Sequence, residues 1–260
     1  MLNLHNQIDL KVKKKGKRMK RRAFLKTSFF AALSLAVSPS FCYNLNKGAK
    51  MKVAVLAASG RAGLAVTNEA LSRGYSVSAF VRNAKKMEQK ANLTIIQKDI
   101  FALESSDLEG FDIIVDAFGE WSDLSLHKKH GEHLIKILQN NKARFLVVGG
   151  AGSLFMDKSH TTRLMDTKDF PPSYKGVAQA TADVLELLRA EKNIDWVYFS
   201  PAAEFVADGV KTGKYKIIGE EFELNSKGQS EISYADYASA LLDIALNKKI
   251  SKVRVSAIEL

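Results

Sequence analysis

The sequence predicts an α/β fold: one domain built on a doubly wound, mostly parallel sheet. Three observations carry that expectation. Short apolar runs alternate with helical patterns from residue 53 to the end of the chain. The first run passes through a turn of small residues straight into a helical pattern. The length of 260 residues, with 46% hydrophobic content, suffices to bury one sizeable core.

Apolar runs at 53–56, 77–81, 94–96, 113–115 and 145–148 read as buried parallel strands, which are apolar throughout because helices cover both faces. Helical patterns near 64–72 and 124–139 lie between them, and another at 177–188 follows the fifth run. Further strands are expected at 196–199, 214–218 and 253–256, with a helix over 234–245 between the last two. Such alternation is that of a doubly wound sheet. No internal repeat or low-complexity segment interrupts it. The longest irregular stretch, 154–173, is rich in charge and contains Pro171-Pro172, and a loop of that length reads as a functional lid.

Ahead of the domain, which is expected over 51–260, the composition changes. Residues 1–26 hold ten of the 39 basic residues but, in Asp9, only one of the 28 acidic ones. The formal charge of +11 is concentrated there, and the remaining 29 basic and 27 acidic residues nearly cancel. A nearly neutral body removes the electrostatic case for a nucleic-acid partner. An apolar run over 29–37, broken only by Ser34, and then Ser38-Pro39-Ser40 complete the order of a secretory signal over 1–40, followed by a linker at 41–50.

Arg21-Arg22-Ala23-Phe24-Leu25-Lys26 resembles a twin-arginine motif, whose export machinery carries folded proteins and would be a transient partner. Met19 is an alternative start that sets this motif near the N-terminus. The apolar run falls short of the roughly 18 residues of a spanning helix. The expectation is an exported, periplasmic protein, with cleavage after Ser40 and no stable membrane span thereafter; an uncleaved signal would tether it. The plainer reading is a basic tail beside an uncleaved apolar helix. Cys42 is the only cysteine, so no intrachain disulfide can form, and bulky Phe41 disfavours a lipid anchor there.

The chemistry begins at MKVAVLAASGRAG, residues 51–63, where a strand ends in a turn carrying Ser59, Gly60, Arg61 and Gly63 and opens a helix. Glycine lets the backbone approach a pyrophosphate, and the N–H groups and positive dipole of the helix N-terminus receive its charge. A lone glycine triplet is weak, but its place between strand and helix is the context that a dinucleotide cradle requires. The second strand ends in Arg82, with Lys85 and Lys86 nearby, where many NAD-binding proteins place an acid on the ribose 2′-hydroxyl. A guanidinium binds a 2′-phosphate that a carboxylate would repel, so NADP(H) is favoured over NAD(H). The other reading of Arg82 is a solvated residue that starts an exposed helix.

Asp99, after the third strand, is expected beside the adenine, and Asp116 with Ala117, Phe118 and Gly119, after the fourth, near the riboses. His127, His130 and His133 are spaced for one helix face, but the same spacing suits a polar helix surface. No HExxH pattern supports a metal, and Lys128 and Lys129 add adverse charge, so no metal site is expected. No G-x-S-x-G serine is present either, and covalent hydrolysis is poorly supported. Polar candidates for catalysis are Ser153, Tyr174 and Lys175: Tyr174 to donate a proton or bind a carbonyl, and Lys175 to lower its pKa. The competing reading is a turn serine and a helix-start Tyr-Lys pair.

Together VLAASGRAG, AFVRN, DAFG, RFLVVGGAGSL, LMDTKDFPPSYK, WVYFSPAAEF and ISYADYASALLD resemble an atypical short-chain dehydrogenase/reductase, of the NAD(P)H–flavin reductase group related to biliverdin reductase B and NmrA-like regulators. The resemblance runs from Lys52 to the C-terminus and implies a Rossmann-type domain. It implies that Ser59, Gly60, Arg61 and Gly63 hold the pyrophosphate and Arg82 the 2′-phosphate. It also implies that Gly149, Gly150 and the rest of the 149–153 turn border the nicotinamide with Pro201 and Ala202. Two departures stand out. The family's GATGxxG has glycine where this chain has Ala57, which narrows the backbone's choices or crowds the cofactor. The Tyr-x-x-x-Lys dyad of typical members is absent, since Ala178 stands four residues after Tyr174.

These features lead to an NADPH-dependent reductase that passes hydride to a flavin or similar conjugated planar acceptor, for which alignment suffices. A non-catalytic NADP(H)-binding sensor is the alternative, and a sugar epimerase or dehydratase is disfavoured without the dyad.

Overall fold

A computed structural model describes residues 50–260. The expected signal at 1–40, Cys42 and all of the 41–50 linker but Lys50 lie outside the described residues. Ten strands and four α-helices follow one another along the described chain: β1 (Lys52–Leu56), α1 (Arg61–Ser72), β2 (Ser76–Val81), β3 (Leu93–Gln97), β4 (Ile113–Asp116), α2 (Ser125–Ile137), β5 (Arg144–Val148), α3 (Pro172–Ala190), β6 (Trp196–Ser200), β7 (Glu204–Val206), β8 (Tyr215–Ile218), β9 (Glu231–Ser233), α4 (Tyr234–Leu246) and β10 (Val253–Glu259). No helix of the described residues is long and apolar enough to cross a membrane.

Eight strands form one sheet in the order β3-β2-β1-β4-β5-β6-β10-β8. Every pairing is parallel except that of β8 with β10. The chain winds outward from β1 to β3, returns to the other side of β1, and winds away again from β4. Val53 to Leu56 are fully buried between the two halves. Successive side chains of a strand point to opposite faces, so Val53 and Val55 pack with Val66 and Ala70 of α1 and Leu241 and Leu242 of α4. Ala54 and Leu56 join Leu134 of α2 and Leu185 and Leu188 of α3 on the other face. This two-sided burial explains why the strands read as unbroken apolar runs.

Three features depart from expectation. The three-residue strands β7 and β9 pair in parallel as a separate small sheet, too short for any hydrophobic period to mark them. Helix α3 starts at Pro172, five residues before its expected start at 177, because its first turn is exposed and carries no apolar face. Proline is suited to that first position, where its missing N–H would have had no partner. The 154–173 stretch is also fastened at its base: the amides of Leu164 and Met165 donate to the carbonyls of Leu154 and Gly152, and Phe155 exchanges backbone bonds with Glu220 and Phe222. Its tip is folded by the Asp157 carboxylate, which accepts from the amides of Ser159, Thr161 and Thr162 and, with the Ser159 hydroxyl as the chief cause, is held at a pKa of about 2.

The turn after β1 carries a local strain. Ala57 adopts φ +54°, in the left-handed region, and its carbonyl accepts the Gly60 amide at 3.0 Å. A Cβ on Gly63 would lie 2.6 Å from that carbonyl oxygen and 2.8 Å from Ala58 Cα, so only glycine lets α1 begin this close to the turn. A left-handed alanine costs about 1–2 kcal/mol, offset in part by the greater freedom that glycine loses on folding, about 0.4–1 kcal/mol. Ala57→Gly is therefore expected to raise the thermal unfolding midpoint by about 1–3 °C, measured by scanning calorimetry; a lowered midpoint would show that the turn is unstrained.

Candidate functional site

Because β1 and β4 are neighbours whose following helices lie on opposite faces, their loops part at the C-terminal edge of the sheet and leave a crevice there. On one side stands the start of α1. Gly60 is its N-cap in extended conformation, no side chain caps it, and its first turn holds no acid. The first-turn amides, including those of Arg61 and Gly63, have no partner within the helix. The glycines at 60 and 63 keep this end bare, and a phosphate fits it in shape and charge. Ser59 is half-buried in the turn and Arg61 is exposed beside it.

Beyond β2, Arg82, Lys85 and Lys86 are all exposed, and no ion pair among the described residues occupies any of them. The Asn83 side chain accepts the Lys85 amide at 3.0 Å and turns this segment into a short 3-10 helix. No acid stands at 82–87 directly after β2, so this strand end is cationic, with Glu120 of the loop after β4 near enough to feel the charge of Arg82. Asp99 follows edge strand β3 and is half-buried; its Oδ1 accepts the Phe101 amide at 2.9 Å, a local cap.

The other wall is the loop after β4. Asp116 is buried, its Oδ1 accepting the Phe118 amide at 3.0 Å and its Oδ2 lying 2.8 Å from His130 Nε2. His130 Nδ1 meets the His127 carbonyl at 2.6 Å. Both ring nitrogens thus face acceptors, an arrangement satisfied by the doubly protonated imidazolium. Burial opposes that charge, but the Asp116 carboxylate and the hydrogen bonds outweigh it and hold the His130 pKa above the usual imidazole value. Phe118 stacks on His130 with centroids 4.1 Å apart and meets Phe101 edge to face. His127 Nε2 donates to the Glu120 carbonyl at 2.8 Å, and burial pushes its own pKa down. The two histidines therefore anchor the Ala117, Phe118 and Gly119 loop instead of lining a polar helix surface. His130, Leu134 and Leu138 repeat every four residues and are all buried, so the apolar face of the helix runs through the histidine.

After β5, a Cβ on Gly149 would fall 2.2 Å from the Tyr198 ring, and one on Gly150 2.7 Å from the Thr181 hydroxyl. The Tyr198 hydroxyl accepts the Gly150 amide and donates to the Thr181 carbonyl, both at 3.0 Å, and burial raises its pKa so that it keeps its proton. These two glycines serve close packing of the turn. Pro201 and Ala202 are buried just after β6.

The three catalytic candidates are not joined by hydrogen bonds. Ser153 is buried, with its carbonyl and hydroxyl at 3.2 and 3.5 Å from the Arg254 guanidinium. Arg254, whose side chain is wholly buried, also pairs with Glu220 and lies under the Phe155 ring. Tyr174 is exposed, edge to face with Trp121, and Lys175 lies near Asp166, whose carboxyl is held down first by Arg163 and then by Lys175. Sequence reasoning missed the His130, Tyr198 and Arg254 contacts; only the four-residue repeat through His130 offered a signal.

A Rossmann-type sheet, a bare helix start and a cationic second-strand end together define a nicotinamide dinucleotide-binding protein. The model of the NAD(P)H-binding family matches residues 57–248, and the chain belongs to that family. YwnB of Bacillus subtilis is 45% identical over 195 residues, covering 74% of this chain and 91% of its own. Among solved structures, SP1627 of Streptococcus pneumoniae TIGR4, a proposed NADH-flavin reductase, is 47% identical with a TM-score of 0.77, over 81% of this chain and all of its own. A proposed epimerase of Bacteroides thetaiotaomicron is 34% identical with a TM-score of 0.74, over 82% of this chain and 98% of its own.

The raised pKa of His130 sets a pH dependence. Its contribution to stability is complete below the unfolded imidazole value of about 6.5 and is lost as pH rises through the higher folded value. The melting temperature of the wild type is expected to fall across that window, and His130→Gln to abolish this limb. His130→Leu leaves Asp116 buried without its cation and is expected to cost about 3–5 kcal/mol. Parallel pH profiles for the wild type and His130→Gln would rule out the charged pair.

Proposed function

We propose that the protein is an NADPH-dependent reductase acting on a flavin or similar conjugated planar acceptor. The observation that carries this reading is a dinucleotide cradle whose catalytic candidates form no hydrogen-bonded dyad: Ser153 is committed to Arg254, Tyr174 meets Trp121 edge to face, and the acid–base pair that does stand at the crevice, Asp116 with His130, is buried and closed on itself. Hydride transfer to a conjugated ring requires alignment of donor and acceptor but no general base on the protein. When bound, the reduced nicotinamide supplies the hydride, and the acceptor completes its reduction with one proton from water. The protein's part is to hold: the start of α1 takes the pyrophosphate, and Arg82 with Lys85 and Lys86 takes the 2′-phosphate. The pair of Asp116 and His130 fixes Phe118 as a wall of the crevice. The proposed role of SP1627 supports the flavin.

The missing dyad equally favours a second reading, a non-catalytic NADP(H) sensor. Export through the twin-arginine route belongs to our proposal as well, since it would carry the folded protein with its dinucleotide.

Mixing NADPH with FMN or FAD and following NADPH absorbance separates the readings: the reductase consumes NADPH only when flavin is present, whereas the sensor binds NADP with a thermal shift but without turnover. Arg82→Ala is expected to weaken NADPH about tenfold, the value of one charge-assisted hydrogen bond, and to leave NADH unchanged. An unaltered preference for NADPH would remove Arg82 from the 2′-phosphate site.

A further inference from the structure

Two exposed aromatic side chains stand in segments that follow β4 and β5. Trp121 is 64% exposed and Tyr174 42% exposed. Their rings meet edge to face, with centroids 6.0 Å apart and planes at 77°. Trp121 belongs to the loop between β4 and α2, and Tyr174 to the first turn of α3, which follows β5. Both segments serve the C-terminal edge of the sheet, where the start of α1 and Phe118 also stand. They touch one another, since a Cβ on Gly176 would lie 2.8 Å from Leu124 Cδ1.

The tryptophan loop is built. Glu120 Oε1 accepts the amides of Trp121 at 2.8 Å and Ser122 at 2.6 Å, while the Glu120 carbonyl is held by His127. Asp123 then accepts the amide and hydroxyl of Ser125 at the start of α2. A turn with this many hydrogen bonds fixes where the indole stands. Leaving so large an apolar ring in water forgoes the gain of burying it. Other aromatic rings have partners of their own: Phe118 stacks on His130 and meets Phe101 edge to face, Phe155 stacks on His160, and Phe205 on Tyr234. Trp121 has only this edge-to-face contact with Tyr174, which leaves at least one face of the indole to a ligand. Tryptophan and tyrosine receive flat conjugated rings by stacking, with little demand on hydrogen-bonding pattern.

We propose that Trp121 and Tyr174 form the acceptor subsite, in which the planar ring of a flavin stacks on the Trp121 indole and abuts Tyr174. This rests on the reductase reading and adds to it the two residues that select a flat acceptor. Neither side chain takes part in the transfer; both bind.

The chain has two tryptophans, and the other, Trp196, is buried at 2% exposure. Titrating FMN into the NADP⁺-loaded full chain while reading tryptophan emission therefore reports on Trp121. Saturable quenching is expected in the wild type, and most of it is expected to vanish in Trp121→Phe, where Trp196 alone emits. Trp121→Ala is expected to raise the KM for FMN about tenfold, in line with the loss of one stacking contact, with NADPH affinity unchanged; Tyr174→Ala is expected to act in the same direction. Flavin turnover with wild-type KM and quenching in these variants overturns the subsite and leaves the reductase reading standing. If the wild type turns over no flavin, that reading falls instead; quenching that depends on Trp121 then still upholds the aromatic subsite, and its absence overturns it.

Discussion

The pairing of β1 with β4 is the constraint from which the rest of the molecule follows. Val53 to Leu56 bond on one side to β2 and on the other to Ile113 to Asp116, so the chain must leave the middle of the sheet in opposite directions. Helices α1 and α4 are driven to one face and α2 and α3 to the other, because each face of β1 is apolar and has to be covered. The crevice results from that division of the helices. A helix N-terminus and the end of a buried strand are brought to the same edge, one offering unpaired amides and the other a carboxylate.

That carboxylate explains how the crevice keeps its shape. Asp116 sits in the interior, where an uncompensated charge is costly, and one of its oxygens fixes the Phe118 amide while the other meets His130. Polar groups around the rim are used in the same way. Tyr198 binds the Gly150 turn, Glu120 gathers the amides of its own loop, and Asp236 accepts from the Thr212 and Gly213 amides on the far side. Each is a side chain that holds backbone.

How much of this was legible in the sequence depended on the range of the interaction. The central strands β1, β4, β5 and β6 are visible because burial on two faces gives a continuous apolar run, and the half-buried edge strands β3 and β8 still carry a few apolar residues; β7 and β9, three residues each, give no period. The glycine turn is legible because its chemistry is local: Gly60 and Gly63 act on atoms within six residues of themselves. His130 depends on a partner 14 residues upstream, and Arg254 on one 101 residues upstream, so the sequence alone left one as a surface or metal histidine and the other unnoticed. Ser153 was singled out by type and place, yet its setting against Arg254 could be seen only in three dimensions.

Arg254 also gives the molecule an order of assembly. It lies in β10, the last strand, and from there reaches Ser153 at the root of the 154–173 stretch and Glu220 beyond β8. During synthesis the glycine cradle emerges early, but the 154–173 stretch lacks its Arg254 anchor until the last strand is in place between β6 and β8. The dinucleotide end of the site is thus encoded near the start of the domain, while the root of the 154–173 stretch receives its buried guanidinium only from the last strand. A nascent chain halted before β10 would carry the cradle and its Phe118 wall but would leave Ser153 and Glu220 without the guanidinium that joins them.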